Sequence, residues 1–268
     1  MMVTQFCNLS CRGCSNYADL KHTGYVPWAQ GRAEIQAWMD RIDIEEFGIM
    51  GGEPLINPEL TQWIRGLREL LPNSAIRFST NGELLDRHLD VVETAHEVGN
   101  FVFKITVHQH SERVERVIEK IFGMYQWKPV REHGINRYRT TRGLRFQINR
   151  PQTFIKTYRN DYDNMRPFDS NPTDSFAICI QQTCPLMYQG RLYKCSTLGG
   201  LEDVLKRFDV TDPSWEPYVG QYITPNSSDT DIEAFINNFG RPHRVCRMCP
   251  SAHDPESAIL HYNNVLTK

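Results

Sequence analysis

Eight cysteines carry most of the chemistry that this sequence can offer: Cys7, Cys11, Cys14, Cys179, Cys184, Cys195, Cys246 and Cys249. They fall into two groups, and no cysteine lies between Cys14 and Cys179. An even count raises a disulfide framework, but such frameworks suit small secreted domains and this chain has 268 residues. Thiols clustered at short spacing read instead as metal ligands. The first group runs Cys7-Asn8-Leu9-Ser10-Cys11-Arg12-Gly13-Cys14, with three residues and then two between thiols. Three thiolates can hold three corners of a four-iron cluster, and the fourth iron then keeps an open coordination position. An open position is what turns a structural metal site into a reactive one. With His22 as a fourth ligand the same thiols could close a zinc site.

A second motif follows at Met50-Gly51-Gly52-Glu53-Pro54. Residues 44–49 read as a short strand. Asn57 and Pro58 read as the cap and first position of a helix. Its apolar stripe is Leu60, Trp63, Ile64, Leu67 and Leu71. Gly51 and Gly52 therefore stand at the C-terminal end of a strand, where backbone can approach a ligand closely. Glu53 offers a carboxylate there for an ammonium group.

With both motifs in place, the sequence resembles the radical S-adenosylmethionine (radical SAM) family. The resemblance implies that Cys7, Cys11 and Cys14 bind a [4Fe-4S] cluster whose open iron chelates S-adenosylmethionine. It implies that Gly51, Gly52 and Glu53 contact the methionine amine, and that residues 75–82 form the family's third strand, with Ser79 and Asn81 toward the cofactor. It implies an electron donor such as flavodoxin or ferredoxin, and a 5′-deoxyadenosyl radical that takes a hydrogen atom from the substrate. Many members carry an aromatic residue just before the third cysteine to pack on adenine. Gly13 stands there in this chain, which shifts that expectation to Tyr17.

The C-terminal cysteines read as a second site. Residues 184–195 form a hairpin pattern with Gln189-Gly190 as the turn, and a tight hairpin brings its flanking thiols together. Cys246-Arg247-Met248-Cys249 adds a pair at the common chelating spacing. The region resembles the twitch or SPASM-like auxiliary-cluster extensions of some radical SAM enzymes. The expected ligands of a second [4Fe-4S] cluster are Cys184, Cys195, Cys246 and Cys249, with Cys179 a free thiol or substitute ligand. A structural zinc site on the same residues is the alternative.

The elements that must position these residues alternate. Strands are expected near 3–6, 44–49, 75–80, 100–108 and 144–149, and helices near 28–41, 58–71, 83–98 and 112–124. Such alternation means parallel βα units. The fold class is α/β, and the resemblance makes it a partial (β/α)6 TIM-like barrel with a small C-terminal auxiliary-cluster domain. The expected boundaries are 1–160 for the barrel core, 161–178 for a bridge and 179–268 for the auxiliary-cluster region. Cys7, Gly51, Asn81 and His108 all fall at C-terminal strand ends, where barrels of this type place their sites. On the fourth strand Lys104, Thr106 and His108 share one face, which makes Thr106 and His108 candidates for cofactor or substrate contacts. Residues 127–143 read as an arginine-rich loop.

Composition narrows the rest. Hydrophobic residues make up 40% and charged residues 23%, so the chain is neither disordered nor fibrous. No apolar run approaches the ~20 residues of a membrane helix, and Met1-Met2-Val3-Thr4 lacks the features of a secretory signal. A cytoplasmic protein is expected. The net charge of −2 hides thirteen Lys or Arg against four Glu between Lys104 and Arg159. With Tyr125, Trp127, Tyr138, Phe146 and Tyr158 interleaved, that segment points to an anionic substrate: a nucleotide, a nucleic-acid base or a phosphorylated metabolite. On that reading, replacing Arg137, Arg139 and Arg142 by Ala weakens substrate binding and leaves both clusters intact. The competing functions are a peptide-modifying radical SAM enzyme and a non-catalytic iron–sulfur or zinc module that binds nucleic acid.

Overall fold

The computed structural model describes every residue except 21, 109–110, 126, 133–134, 141–143, 152, 255–258 and 262–268; for 127–132, 135–140 and 259–261 it describes the backbone path alone. Two compact units divide the chain. The first is Met1–Asn8 with Lys21–Gln152, and the second is Leu9–Leu20 with Thr153–Lys268. The loop that carries Cys11 and Cys14 thus groups with the C-terminal residues, and Cys7 groups with the barrel strands.

The first unit is built on a seven-stranded sheet of order β1-β2-β3-β4-β7-β6-β5. Its parallel strands are β1 (Met2–Thr4), β2 (Glu46–Gly51), β3 (Ala75–Thr80), β4 (Phe101–Thr106) and β7 (Arg145–Asn149). Helices α1 (Trp28–Met39), α2 (Leu60–Leu70), α3 (Leu89–Val98) and α4 (Glu112–Met124) connect them. This is the expected α/β class, a partial TIM-like barrel with five parallel strands. The sheet then continues antiparallel: β6 (Ile135–Thr140) pairs with β7, and β5 (Trp127–Glu132) pairs with β6. The segment expected to be a loop is therefore a hairpin. Its apolar signal is diluted by arginines, and pairing to the edge of β7 supplies what periodicity lacked. Arg142 and the side chains of Arg137 and Arg139 lie outside the described residues.

Each element follows from its pattern. In α4 Val114, Val117, Ile118 and Ile121 are buried at helical spacing, Ser111 Oγ accepts from Val114 N at 3.3 Å, and Glu112 and Glu115 sit in the positive first turn. On α2 the buried stripe is Leu60, Trp63, Ile64 and Leu67. Asn57 Oδ1 accepts from Glu59 N at 2.9 Å, and the helix begins two residues later than its proline suggests. Phe101, Phe103 and Ile105 of β4 are buried on the helix side, where Phe103 stacks on Phe146 at 5.0 Å. The opposite face of the sheet is polar. Register pairs Ser79 with Lys104, Lys104 with Gln147, and Thr106 with Asn149, and all five are half-buried.

The second unit holds two small sheets. Strands β9 (Leu186–Tyr188) and β10 (Arg191–Tyr193) form the expected hairpin, and β11 (Tyr222–Ile223) joins β10. Gln189 (φ 52°) and Gly190 (φ 71°) are both left-handed, the backbone that a two-residue hairpin turn of this hand requires. The other sheet pairs β8 (Thr153–Ile155) with β12 (Ile259–His261). Helices α5 (Pro172–Ala177), α6 (Ser196–Gly199), α7 (Leu201–Arg207) and α8 (Asp229–Asn237) complete it. No helix among the described residues is long and apolar enough to cross a membrane.

Candidate functional site

In the barrel unit the glycine loop and the first cysteine are locked together. Gly52 N donates to Thr4 O and Glu53 N to Phe6 O, both at 2.9 Å. The approach is so close that a Cβ on Gly51 would stand 2.3 Å from Thr4 O, and one on Gly52 2.2 Å from Phe6 O and 2.9 Å from Cys7 N. The two glycines are required by the chain segment that delivers Cys7, a reason that spacing alone does not reveal.

Glu53 is fully buried. Its Oε1 accepts from Thr80 Oγ1 at 2.7 Å and Leu55 N at 3.1 Å, and its Oε2 accepts from Asn81 N at 2.8 Å. Burial pushes its pKa up to about 7, against the opposing pull of those donors. Through these three donors the carboxylate joins the ends of β2 and β3. Asn81 then turns back to the cysteine. Its Nδ2 donates to Asn8 Oδ1 at 2.8 Å and lies 3.7 Å from Cys7 Sγ. Thus Cys7, Gly51, Gly52, Glu53 and Asn81 come together as one knot.

Ser79, Lys104 and Thr106 share the polar face of the sheet. His108 follows the C-terminal end of β4, and burial pushes its pKa down to about 4, so the imidazole is neutral at physiological pH.

The second unit positions the other two N-terminal thiols. Cys11 is buried in a small apolar cluster with Leu9, Cys14 and Phe154. Burial raises the Cys14 thiol. Gly13 has φ +73° and lies against Lys156, so the position that is aromatic in many relatives demands a left-handed backbone here. Lys156, which the sequence did not single out, is buried, donates to Asn160 O and stands 4.7 Å from the Tyr158 ring centroid. Tyr17, the candidate for adenine packing, is only 1% exposed. It packs against Tyr158 and Tyr162, and a Cβ on Gly200 would strike its ring at 2.7 Å. The ring is spent on the interior of this unit.

Burial is the largest cause that raises the thiols of Cys179, Cys195 and Cys249. Charge on Cys179, Cys195 or Cys246 raises the Cys249 thiol, charge on Cys179 or Cys246 raises Cys195, and charge on Cys246 raises Cys179. Burial is the larger cause for Cys195, pushed up to about 12, and for Cys249. Cys184 is exposed and acts on Cys179. Cys179 follows the short helix α5 and is half-buried. Among the described residues no group of three or more His, Cys, Asp or Glu is arranged to hold one metal ion.

The same unit carries a cleft of about 690 Å³ lined by Arg159, Arg166, Arg244 and Arg247 together with Phe168 and Tyr218. Arg247 pairs with Asp169, Arg166 with Asp212 at 2.9 Å and Arg159 with Asp254 at 3.3 Å. Arg244 and Arg247 flank Cys246 in sequence.

Comparison with known proteins gives the family. The model of the Radical SAM superfamily matches residues 1–137, half of the chain, and the chain belongs to that superfamily. It is 34% identical over 92 residues to the GTP 3',8-cyclase of Synechocystis sp. (strain ATCC 27184 / PCC 6803 / Kazusa). That stretch is 34% of this chain and spans 28% of the cyclase's length. Among solved structures, BtrN in complex with AdoMet and 2-DOIA superposes with a TM-score of 0.38 at 22% identity, covering 44% of this chain and 48% of that one.

Proposed function

We propose that this chain is a radical SAM enzyme in which Cys7, Cys11 and Cys14 hold a [4Fe-4S] cluster and leave one iron to S-adenosylmethionine. The observation that carries the reading is the knot in the barrel unit, where the family's glycine loop, Glu53 and Asn81 fix the segment bearing Cys7. Asn81 supports the cluster too, because an amide donor near Cys7 Sγ stabilises a thiolate. When bound, the cluster would supply one electron to S-adenosylmethionine, so that its sulfonium C–S bond breaks to methionine and a deoxyadenosyl radical able to take a hydrogen atom from an unactivated C–H bond. The protein's own part is to bind, orient and exclude water. Glu53 acts as a positioning residue, and the polar face with Ser79, Lys104 and Thr106 is the surface offered to cofactor and substrate. A one-electron carrier of the flavodoxin or ferredoxin class provides the electron.

For a second [4Fe-4S] cluster the proposed ligands are Cys179, Cys195, Cys246 and Cys249. Burial, and charge on neighbouring sulfurs, raise the thiols of Cys179, Cys195 and Cys249, so bare thiolates there are costly, and a cationic metal centre reverses that cost. A four-iron cube keeps its four sulfur ligands apart, so they need not close on a single ion position. Counting iron in reconstituted variants tests the set. Cys184→Ser is expected to keep about eight irons per chain, and Cys179→Ser to fall toward about four. The reverse pattern would restore Cys184 as the ligand.

The substrate class that we favour is an anionic nucleotide. The cyclase relative acts, by its name, on GTP, and an arginine-lined cleft suits phosphate recognition. The test is formation of 5′-deoxyadenosine by reduced enzyme with S-adenosylmethionine, with and without nucleoside triphosphates. Nucleotides are expected to raise turnover several-fold. Stimulation by peptides and none by nucleotides would overturn this choice of substrate.

A further inference from the structure

The second unit carries another cleft, of about 450 Å³, a size that suits a small ligand. Helix α8 and its C-cap form one wall, where Asp231, Ala234, Phe235 and Asn238 recur at the spacing of a single helix face. Lys194 and Arg244 bring two cations to the cleft. Lys194 Nζ donates to Asn238 O at 3.0 Å and stands 5.4 Å from the Phe176 ring centroid, and Arg244 Nη2 donates to Gln221 Oε1 at 2.6 Å. All these partners are neutral. Among the described residues neither cation pairs with a carboxylate, whereas Arg159, Arg166 and Arg247 of the arginine cleft each have an aspartate. A cation bonded to neutral groups keeps its charge, and its remaining N–H donors, for an incoming anion. His243 adds a third donor: its Nδ1 accepts from Val245 N at 3.4 Å, which leaves the proton on Nε2. The opposite charge stands at the far end. Asp231 lies in the first turn of α8 and accepts from Ser228 Oγ at 2.6 Å, whereas Lys194 holds the C-terminal end of the same helix, about 10 Å away along its axis. The rest of the lining is largely apolar: Leu198, Ile223, Phe235 and Val245.

We propose that this cleft binds a small monocarboxylate with an apolar body, its carboxylate at Lys194 and Arg244 and its body against Leu198, Ile223, Phe235 and Val245. Asp231 turns a second negative charge away from the far end, which separates this ligand from the polyanions that suit the four arginines of the neighbouring cleft. The two clefts share Gln221 and Arg244 as a common wall. The site is independent of the nucleotide reading and of any cluster at the C-terminal thiols. It has a consequence for those thiols all the same. Lys194 precedes Cys195, and Arg244 stands two residues before Cys246, so a ligand that bridges the two cations ties together the segments that carry them.

Isothermal titration calorimetry of the reconstituted full chain reads the result, with 3-phenylpropionate as the probe beside its uncharged amide. The acid is expected to bind with a Kd of about 1 mM or tighter, and the amide about tenfold more weakly. Lys194→Gln removes one cation. Ala234→Trp fills the cleft from an exposed position of α8 and leaves the core alone. Each is expected to weaken the acid about tenfold or more. Arg159→Gln, in the arginine cleft, is expected to leave its affinity unchanged. No heat of binding up to about 10 mM acid would overturn the proposal, as would equal affinities for acid and amide. Equal losses in Arg159→Gln and Lys194→Gln would place the acid in the arginine cleft and overturn it too. Displacement of the acid by an equal concentration of inorganic phosphate would make the cleft a general anion site and overturn the ligand class. Should Lys194→Gln fail to fold, Ala234→Trp decides alone, and wild-type affinity in that variant would overturn the proposal.

Discussion

Gly52→Ala is expected to lower the melting temperature by roughly 10 °C and to empty the N-terminal cluster site. The new methyl group would stand 2.2 Å from Phe6 O, 2.5 Å from Phe6 C and 2.9 Å from Cys7 N. All three are backbone atoms, so no side chain can swing away to make room. One strand segment must shift, and overpacking of this kind costs about 3 kcal/mol. What shifts is the backbone of Cys7 or the loop that leads to Glu53, and either displacement breaks the hydrogen bonds from Gly52 N to Thr4 O and from Glu53 N to Phe6 O. The iron content after reconstitution should therefore fall along with stability. A variant with the melting temperature and iron of wild type would show that the loop has slack that this geometry denies.

The second large effect is at Glu53. Glu53→Ala leaves Leu55 N, Thr80 Oγ1 and Asn81 N without their acceptor in a site closed to water. Each unmet buried donor costs about 1–3 kcal/mol, and the cavity adds to it, so a loss of about 4 kcal/mol is expected in chemical denaturation. Glu53→Gln is expected to lose about half as much, because the amide carbonyl can still serve one side while its NH2 meets a donor on the other. Both variants free the end of β3, so Asn81 no longer holds its place beside Asn8 and Cys7, and affinity for S-adenosylmethionine drops with stability. Denaturation midpoints equal to wild type would contradict the positional role. Loss of affinity at full stability would return Glu53 to the part first expected of it, direct contact with the methionine amine.

How much of this was legible beforehand varies by element. Ala75–Thr80 and Glu112–Met124 were read with the bounds that they have. There strict alternation or a four-residue apolar stripe with a serine cap leaves one solution. The Gln189-Gly190 turn was equally plain, since Gly190 takes a left-handed backbone without steric cost. The first strand is only three residues long, held by pairing with β2 and not by its own pattern. The antiparallel hairpin at Trp127–Thr140 was hidden by arginines and proline within it. At the site, the sequence named Cys7, Gly51, Gly52, Glu53 and Asn81. It could not say that Glu53 turns inward, because Thr80 and Asn81 meet it only after the strands align. Nor could it find Lys156, or show that Tyr17 is buried, since each depends on segments far apart in the chain. That Arg159, Arg166, Arg244 and Arg247 line one cleft escaped notice for the same reason.

The most direct test of radical SAM chemistry in this chain is anaerobic. The protein is reconstituted with iron and sulfide, reduced, given S-adenosylmethionine, and assayed for 5′-deoxyadenosine beside a Cys14→Ala variant. Wild type is expected to form 5′-deoxyadenosine and methionine, and Cys14→Ala to form neither while its C-terminal thiols still hold iron. Fully loaded wild-type protein that leaves S-adenosylmethionine intact, with a nucleotide substrate and a competent electron donor present, would contradict the account.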